Sequence, residues 1–342
     1  MTHLKIIPGI LASVAIALVA TFLESLLPVH VVGAAVIAMF IGMLINSLIK
    51  KTEVLSPGLK FTSKRLLKLA IVLLGISLNI RTVLNVGKMS LAVMFFTLLT
   101  CFGGGYFIGR ALKLNWKLSN LISAGTGICG GSAIAAIAPT IEADDNDVAY
   151  AMSATFLFDM AMIVLFPIMG RAIGMSDEAF GIWAGTAVND TSSVVATGYA
   201  FSEAAGDFAT MVKLTRTLSI IPTVVIFSLI HLRLKRKEAL QSGEAMTQTT
   251  NKPKISKLFP WFIVGFLGMA ILASVFSIPA QTVSVVKSVS KFLMVCALAA
   301  IGLNTSFAGI KKSGARPMIH GFIISALVVV VALVVEIAMG LV

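Results

Sequence analysis

Four ionisable side chains stand where an apolar sequence should carry none: Asp159, Asp190, Lys213 and Arg216. Each lies within a run long enough to cross a bilayer. A charge near the bilayer centre costs about 2.5–3.5 kcal/mol on insertion scales, and such residues pair, bind ions or meet substrate. Two polar runs lie nearby. Gly125-Thr126-Gly127-Ile128-Cys129-Gly130-Gly131-Ser132 recurs sixty residues later as Gly185-Thr186-Ala187-Val188-Asn189-Asp190-Thr191-Ser192, followed by Ser193. Glycines and hydroxyl residues are poor helix formers, so each run is expected to interrupt a helix inside the membrane. The exposed backbone groups are tolerated there only against protein or a polar cavity.

The chemistry expected of the first break is anion binding. Gly125, Gly127, Gly130 and Gly131 let backbone amides turn toward a ligand, and a half-helix starting near Ser132 offers a positive N-terminus. Thr126 and Ser132 add hydroxyls, and Cys129 lies between the glycines. The competing reading is close helix packing through small residues. In the second break, Asn189, Thr191, Ser192 and Ser193 surround Asp190. That carboxylate can bind a coupling ion, H⁺ or Na⁺, cap a half-helix beginning at Thr191, or do both. Lys213 and Arg216 are three residues apart and share a helix face. Arg216 lies roughly 12 Å below the start of its span at about 1.5 Å per residue. It either pairs with Asp159 or Asp190 or faces a substrate anion. Lys213 is shallower and could snorkel outward. Asp159 is a second candidate for ion coupling, or the structural partner of Arg216. Asn79 and Asn304 end matched apolar segments and read as structural, and Glu336 reads as interfacial.

These residues need spans to carry them. The chain has 342 residues, of which 58% are hydrophobic and 12% charged, and its mean hydropathy is +0.98. That composition describes an all-α polytopic membrane protein. About eleven transmembrane helices are expected, at 6–24, 31–49, 66–80, 89–110, 118–140, 148–170, 179–200, 208–231, 258–276, 289–307 and 317–340. The first run has no clear cleavage site and reads as a span rather than a signal peptide.

The net charge of +12 reads as cytoplasmic loops rather than a nucleic-acid surface. Basic clusters at Lys50–Arg65, Arg110–Lys117, Arg233–Lys257 and Lys311–Arg316 fall on one side of this count. The acidic stretches Glu142–Asp147 and Glu203–Asp207 fall on the other. The positive-inside rule then puts the N-terminus in and the C-terminus out. Residues 232–257 form a basic, polar linker that divides an eight-span part, 1–231, from a three-span part, 258–342. Cys101, Cys129 and Cys296 lack metal or redox spacing and the four histidines are scattered, so no cofactor, metal or enzyme site is expected.

The sixty-residue repeat extends to Ala136 and Ala196, Asp147 and Asp207, Ala149 and Ala209, and Thr155 and Thr215. Spans five and six thus resemble spans seven and eight, and by the span count both copies run the same way. A weaker match joins Ile76-Ser77-Leu78-Asn79 to Ile301-Gly302-Leu303-Asn304, and these copies run oppositely. Paired interrupted helices and internal repeats are sequence marks of secondary transporters.

The two glycine-hydroxyl runs, with Arg65-Leu66-Leu67-Lys68-Leu69-Ala70-Ile71-Val72-Leu73-Leu74-Gly75-Ile76-Ser77-Leu78-Asn79, resemble the YeiH-type sulfate exporter family over nearly the whole chain. More distantly, the chain is similar to bile-acid/sodium symporters and cation/proton antiporters, with Cys129 and Asn146 departing from their pattern. The resemblance implies a bacterial inner-membrane transporter of sulfate, sulfite or related small anions, with crossed, discontinuous helices. The partners expected are a small anion, H⁺ or Na⁺, the lipid bilayer and, left open, a second copy in a homodimer. Nucleic acid is not expected. An anion channel or uniporter is the main alternative, ahead of an intramembrane enzyme or a non-transporting structural protein.

Overall fold

The computed structural model describes residues 5–26, 34–48, 54–242, 261–276, 278–305 and 314–342. Most of the expected linker, 243–257, and the basic residues Lys50, Lys51, Lys311 and Lys312 lie outside them. The regular elements are helices throughout, with no strand among the described residues. In chain order they are α1 (Ile7–Leu26), α2 (Ala34–Leu48), α3 (Ser56–Phe61), α4 (Leu67–Leu74), α5 (Ile80–Leu99), α6 (Gly105–Ala111), α7 (Trp116–Ala124), α8 (Gly131–Ile137), α9 (Asp145–Ile173), α10 (Asp177–Ala187), α11 (Thr191–Phe201), α12 (Glu203–Thr217), α13 (Ile220–Ser242), α14 (Trp261–Val275), α15 (Ala280–Asn304) and α16 (Ala315–Ala338).

Among the described residues, six helical segments are long and apolar enough to cross a membrane: Ile7–Leu26, Ile80–Ala111, Asn146–Ile173, Glu203–Lys237, Ala280–Asn304 and Ala315–Ala338. Ala34–Leu48 and Trp261–Val275 are shorter apolar helices. Their outward faces carry large apolar residues such as Phe22, Phe95, Phe107, Val330 and Val334, as a lipid-facing surface requires. The expected spans at 66–80, 118–140 and 179–200 are each interrupted. The first ends in a 3₁₀ turn, Gly75–Ser77, and Asn79 then caps α5 by accepting from the Arg81 amide at 2.8 Å.

Packing divides the helices into two bodies. In one, α15 lies along α2, α1 and α4, and α14 packs on α4. Gly42 lets α2 and α15 meet backbone to backbone, since a Cβ there would come within 2.6 Å of the Ala299 carbonyl. In the other body, α12 lies against α10, α11 and α5, while α9 and α16 flank α7, α10 and α11. The bodies meet where α11 touches α2 and α15, and where α14 touches α5. In this packing α14 and α15 return to α1–α4, and α16 returns to α5–α13.

Candidate functional site: two opposed hairpin tips

The run 116–137 is a helical hairpin. α7 ends in a π turn, Gly125–Cys129, the chain reverses at Gly130, and α8 leads back. Both ends of the hairpin lie together. Asn115 donates to both oxygens of Asp147 at 3.0 and 3.1 Å, and the Lys117 ammonium donates to the Glu142 carbonyl at 2.6 Å. Lys235, at the far end of α13, pairs with Glu142 at 2.7 Å. The acidic stretch Glu142–Asp147 therefore shares an end with Lys117 and Lys235, which corrects its expected place on the opposite side. The span count went astray because a hairpin returns the chain to the end it entered from. The Lys235 ammonium, by its hydrogen bond, holds the Glu142 carboxyl below its usual range.

The run 177–201 is a second hairpin, entered from the other end. α9 is 29 residues long, about 43 Å at 1.5 Å per residue, and it carries the chain from Asp147 to Arg171. There the Arg171 guanidinium donates to the Ala200 carbonyl at 2.8 Å. The Ser202 hydroxyl donates to Asp177 at 2.6 Å, and Phe180 stacks on Phe201 with centroids 4.0 Å apart. The sixty-residue repeat is thus a hairpin followed by a long helix, and its two copies run oppositely, not in parallel as the span count implied. Asp147 and Asp207 hold matching posts. Asp147 accepts from Asn115 at the mouth of the first hairpin, and Asp207 accepts from the Tyr199 hydroxyl at 2.6 Å at the mouth of the second.

The two tips meet. Gly130 adopts φ 62° and lies directly against Asp190. Lys213 and Arg216, both fully buried, hold the tips together. The Lys213 ammonium donates to the carbonyls of Ile128 at 2.9 Å, Val188 at 3.0 Å and Asn189. The Arg216 guanidinium donates through Nε to Gly127 at 2.6 Å, through Nη1 to Val188 at 3.2 Å and through Nη2 to the Thr126 carbonyl. These carbonyls end α7 and α10, where helix dipoles are negative. Lys213 does not snorkel; all three of its donors are engaged here.

The carboxylates hold the other side of the second tip. Asp159 accepts from the Asn189 amide at 2.9 Å and the Asp190 amide at 2.8 Å. Asp190 is the N-cap of α11, accepting from the Ser192 amide at 2.9 Å and from the Ser192 hydroxyl. Capping and ion binding are compatible roles for Asp190; the capping contact is present, and the residue lines a cavity.

That cavity, of about 370 Å³, is lined by Gly130, Gly131, Met152, Ser153, Thr155, Phe156, Asp159, Asp190, Ser192, Ile301 and Thr305. Ile301 and Thr305 come from the α15 chain segment, so the cavity lies where the two bodies meet. Of the residues singled out from the sequence, Gly130, Gly131, Asp159, Asp190 and Ser192 line it. Gly125, Thr126, Gly127, Cys129, Asn189 and Ser193 are buried in the tips. Ser132 is exposed and Thr191 partly so; neither lines the cavity. Thr126 Oγ1 lies 3.5 Å from Ser325 Oγ, and Gly127 packs on Cys101. The Asn189 amide nitrogen donates to the Thr155 carbonyl and Ser325 hydroxyl, each at 3.4 Å, while its Oδ1 is buried with no partner. Ser153, Thr305 and Ser325 carried no motif in the sequence; Thr155 was visible through its match to Thr215.

Glu336, in the last turn of α16, is fully buried against protein with both carboxyl oxygens unpartnered.

The fold and this site define a multi-pass helical membrane protein with two broken hairpins at its centre. A family model described as "Conserved hypothetical protein 698" matches residues 8–321. A UPF0324 membrane protein of Clostridium tetani is 55% identical over 334 residues, 97% of each chain. UPF0324 membrane proteins of Streptococcus pyogenes serotype M18 and Streptococcus agalactiae serotype V are 39% and 36% identical over 99% and 98% of each chain. The chain belongs to this YeiH-like family of bacterial multi-pass membrane proteins. No solved structure matches it.

Proposed function

We propose that the protein is a secondary active transporter of a small anion, of the sulfate, sulfite or organosulfonate class, coupled to H⁺ or Na⁺. The observation that carries this reading is the meeting of two oppositely entered hairpin tips at a buried Asp159–Asp190–Lys213–Arg216 cluster, beside a cavity between two packed bodies. Broken helices near the membrane midplane, at the interface of inverted repeats, are the recurring ground plan of secondary transporters. Ser192, Ser153, Thr155 and Thr305 place hydroxyls around the cavity beside Gly130 and Gly131; those of Ser192, Thr155 and Thr305 donate to Asp190, Ala151 and Ile301 and must turn to meet an anion. Lys213 and Arg216 supply positive potential from behind the tips rather than direct contact. Asp190, with Asp159, is the site for the coupling ion.

In this reading nine helical passes cross the membrane and two hairpins re-enter it, with the N-terminus inside and the C-terminus outside. Each hairpin returns to its own side, so the total keeps the parity of eleven crossings. The basic ends at Lys117 and Lys235 are cytoplasmic by the positive-inside rule. Alternating access arises from the hairpin body moving against the α1–α4, α14 and α15 body.

The test is flux of sulfite, sulfate and a small sulfonate into liposomes holding purified protein, with and without pH or Na⁺ gradients. Gradient-driven uptake, lost in Asp190→Asn and Arg216→Gln, is expected. Uptake that ignores both gradients would instead identify a uniporter or channel.

A further inference from the structure

Charge counting at the hairpin tips constrains what can enter the cavity. The cluster holds two cations, Lys213 and Arg216, and two carboxylates, Asp159 and Asp190. Counted in their ionised forms they sum to zero. The charges are not placed alike. Asp159 and Asp190 line the cavity, and Lys213 and Arg216 do not. An ammonium has three donors, and Lys213 spends all of them on carbonyls of the two tips. Arg216 turns Nε and both terminal nitrogens the same way. An anion entering the cavity therefore meets two carboxylates first and cannot offset them by pairing with a free cation.

Among the described residues, the other elements around the cluster supply no further charge. Hairpin one brings Cys129, the π turn between α5 and α6 brings Cys101, α16 brings Ser325, and the α15 segment brings Ile301 and Thr305.

We propose that an anion occupies this cavity only together with protons on Asp190 and Asp159, one proton for each negative charge, so that its transport is electroneutral. The inference rests on the anion-transporter reading above and deepens it. A monoanion brings one proton and a dianion two, which restores the zero sum in a medium where uncompensated charge is strongly disfavoured. Two carboxylates set the ceiling at two protons. Each proton arrives from the side the anion enters, sits on a carboxylate oxygen, and leaves with the anion on the other side.

The test uses the full chain in liposomes with isethionate as a monoanionic probe and sulfate as a dianionic one. A trapped pH indicator counts protons, and a potassium diffusion potential set by valinomycin reads charge movement. The expected result is one proton per isethionate and two per sulfate, with neither flux changed by the potential. In Asp190→Asn the fixed charge becomes one positive unit, so proton movement with isethionate falls from one to none and its flux becomes sensitive to potential. Asp159→Asn gives the same shift, and the wild-type comparison of the two probes stands if either variant fails to fold. Probe flux without protons, flux driven by Na⁺ alone, or flux that follows the potential in the wild type overturns the inference and leaves a transporter. Absence of flux of both probes from folded protein overturns the transporter reading for these anions, and this inference with it.

Discussion

Gly130 and Asp190 are in contact across the two hairpin tips: a Cβ built on Gly130 would lie 2.9 Å from the Asp190 Cβ, with the backbone at φ 62°. Both facts forbid a side chain. The φ value lies in a region that L residues rarely enter, at a cost of order 1–3 kcal/mol. The contact adds a steric term, because the Asp190 backbone is tied to Asp159 and cannot retreat. Gly130→Ala is therefore expected to lower the thermal stability of the purified protein sharply and to abolish transport. Gly131→Ala is the control. A Cβ there meets only the Met152 methyl at 4.0 Å, so this variant should melt within a few degrees of the wild type.

Lys213 and Arg216 act on the same two tips, and both donate to the Val188 carbonyl. Removing one partner from a buried charge network costs about 3–5 kcal/mol. Lys213→Met and Arg216→Met should each destabilise the protein by that order, and the double variant by clearly less than the sum, since they share the Val188 acceptor and hold the same two tips. Denaturation of the two single variants and the double variant measures the coupling. Additive losses would mean that the two cations hold the tips independently.

Two hairpins entered from opposite ends make a topological prediction. The native Cys101, Cys129 and Cys296 are buried, so a membrane-impermeant maleimide should report on introduced cysteines. Glu142→Cys and Lys235→Cys should react from one side, and Glu178→Cys from the other. If position 142 reacts from the side of position 178, the first hairpin is a full crossing.

Lys287 pairs with Glu203 at 2.9 Å and with Asp207 at 2.8 Å, and Lys291 pairs with Glu203 at 2.6 Å. These pairs join α15 of one body to α12 of the other, at the end where the second hairpin enters. Relative motion of the bodies must break them. A reducible bis-methanethiosulfonate cross-link between Glu203→Cys and Lys291→Cys should stop transport in folded protein, with recovery on reduction. Undiminished flux through the cross-linked protein would rule out motion at this seam.

Glu142 gives a pH dependence. Its carboxyl is held below the unfolded value of about 4.3 by the Lys235 hydrogen bond. The stabilisation is present above that unfolded value and is lost as pH falls through the lower folded one. Glu142→Gln should remove a small stability increment at pH 7, and the difference from the wild type should shrink as pH falls below about 4.3. Glu142 is largely exposed, so the effect is a fraction of that at Gly130 or Arg216.

The apolar runs and the two polar breaks were legible in the sequence, because composition alone decides what can face lipid and where a helix must stop. Asp159, Asp190, Lys213 and Arg216 stood out for the same reason: a charge in an apolar run is conspicuous wherever the run goes. The sequence also carried the sixty-residue repeat and the capping place of Asp190 before Thr191. It did not carry the direction of either copy. A run of apolar residues with a central break reads alike whether the chain crosses or turns back. That choice is made by contacts between the run's two ends, such as Asn115 with Asp147 and Asp177 with Ser202, which are distant in sequence or lie beyond the run. The partners of Lys213 and Arg216 were hidden for a related reason. They are backbone carbonyls, which every residue possesses, and only the meeting of the two tips decides which ones lie within reach.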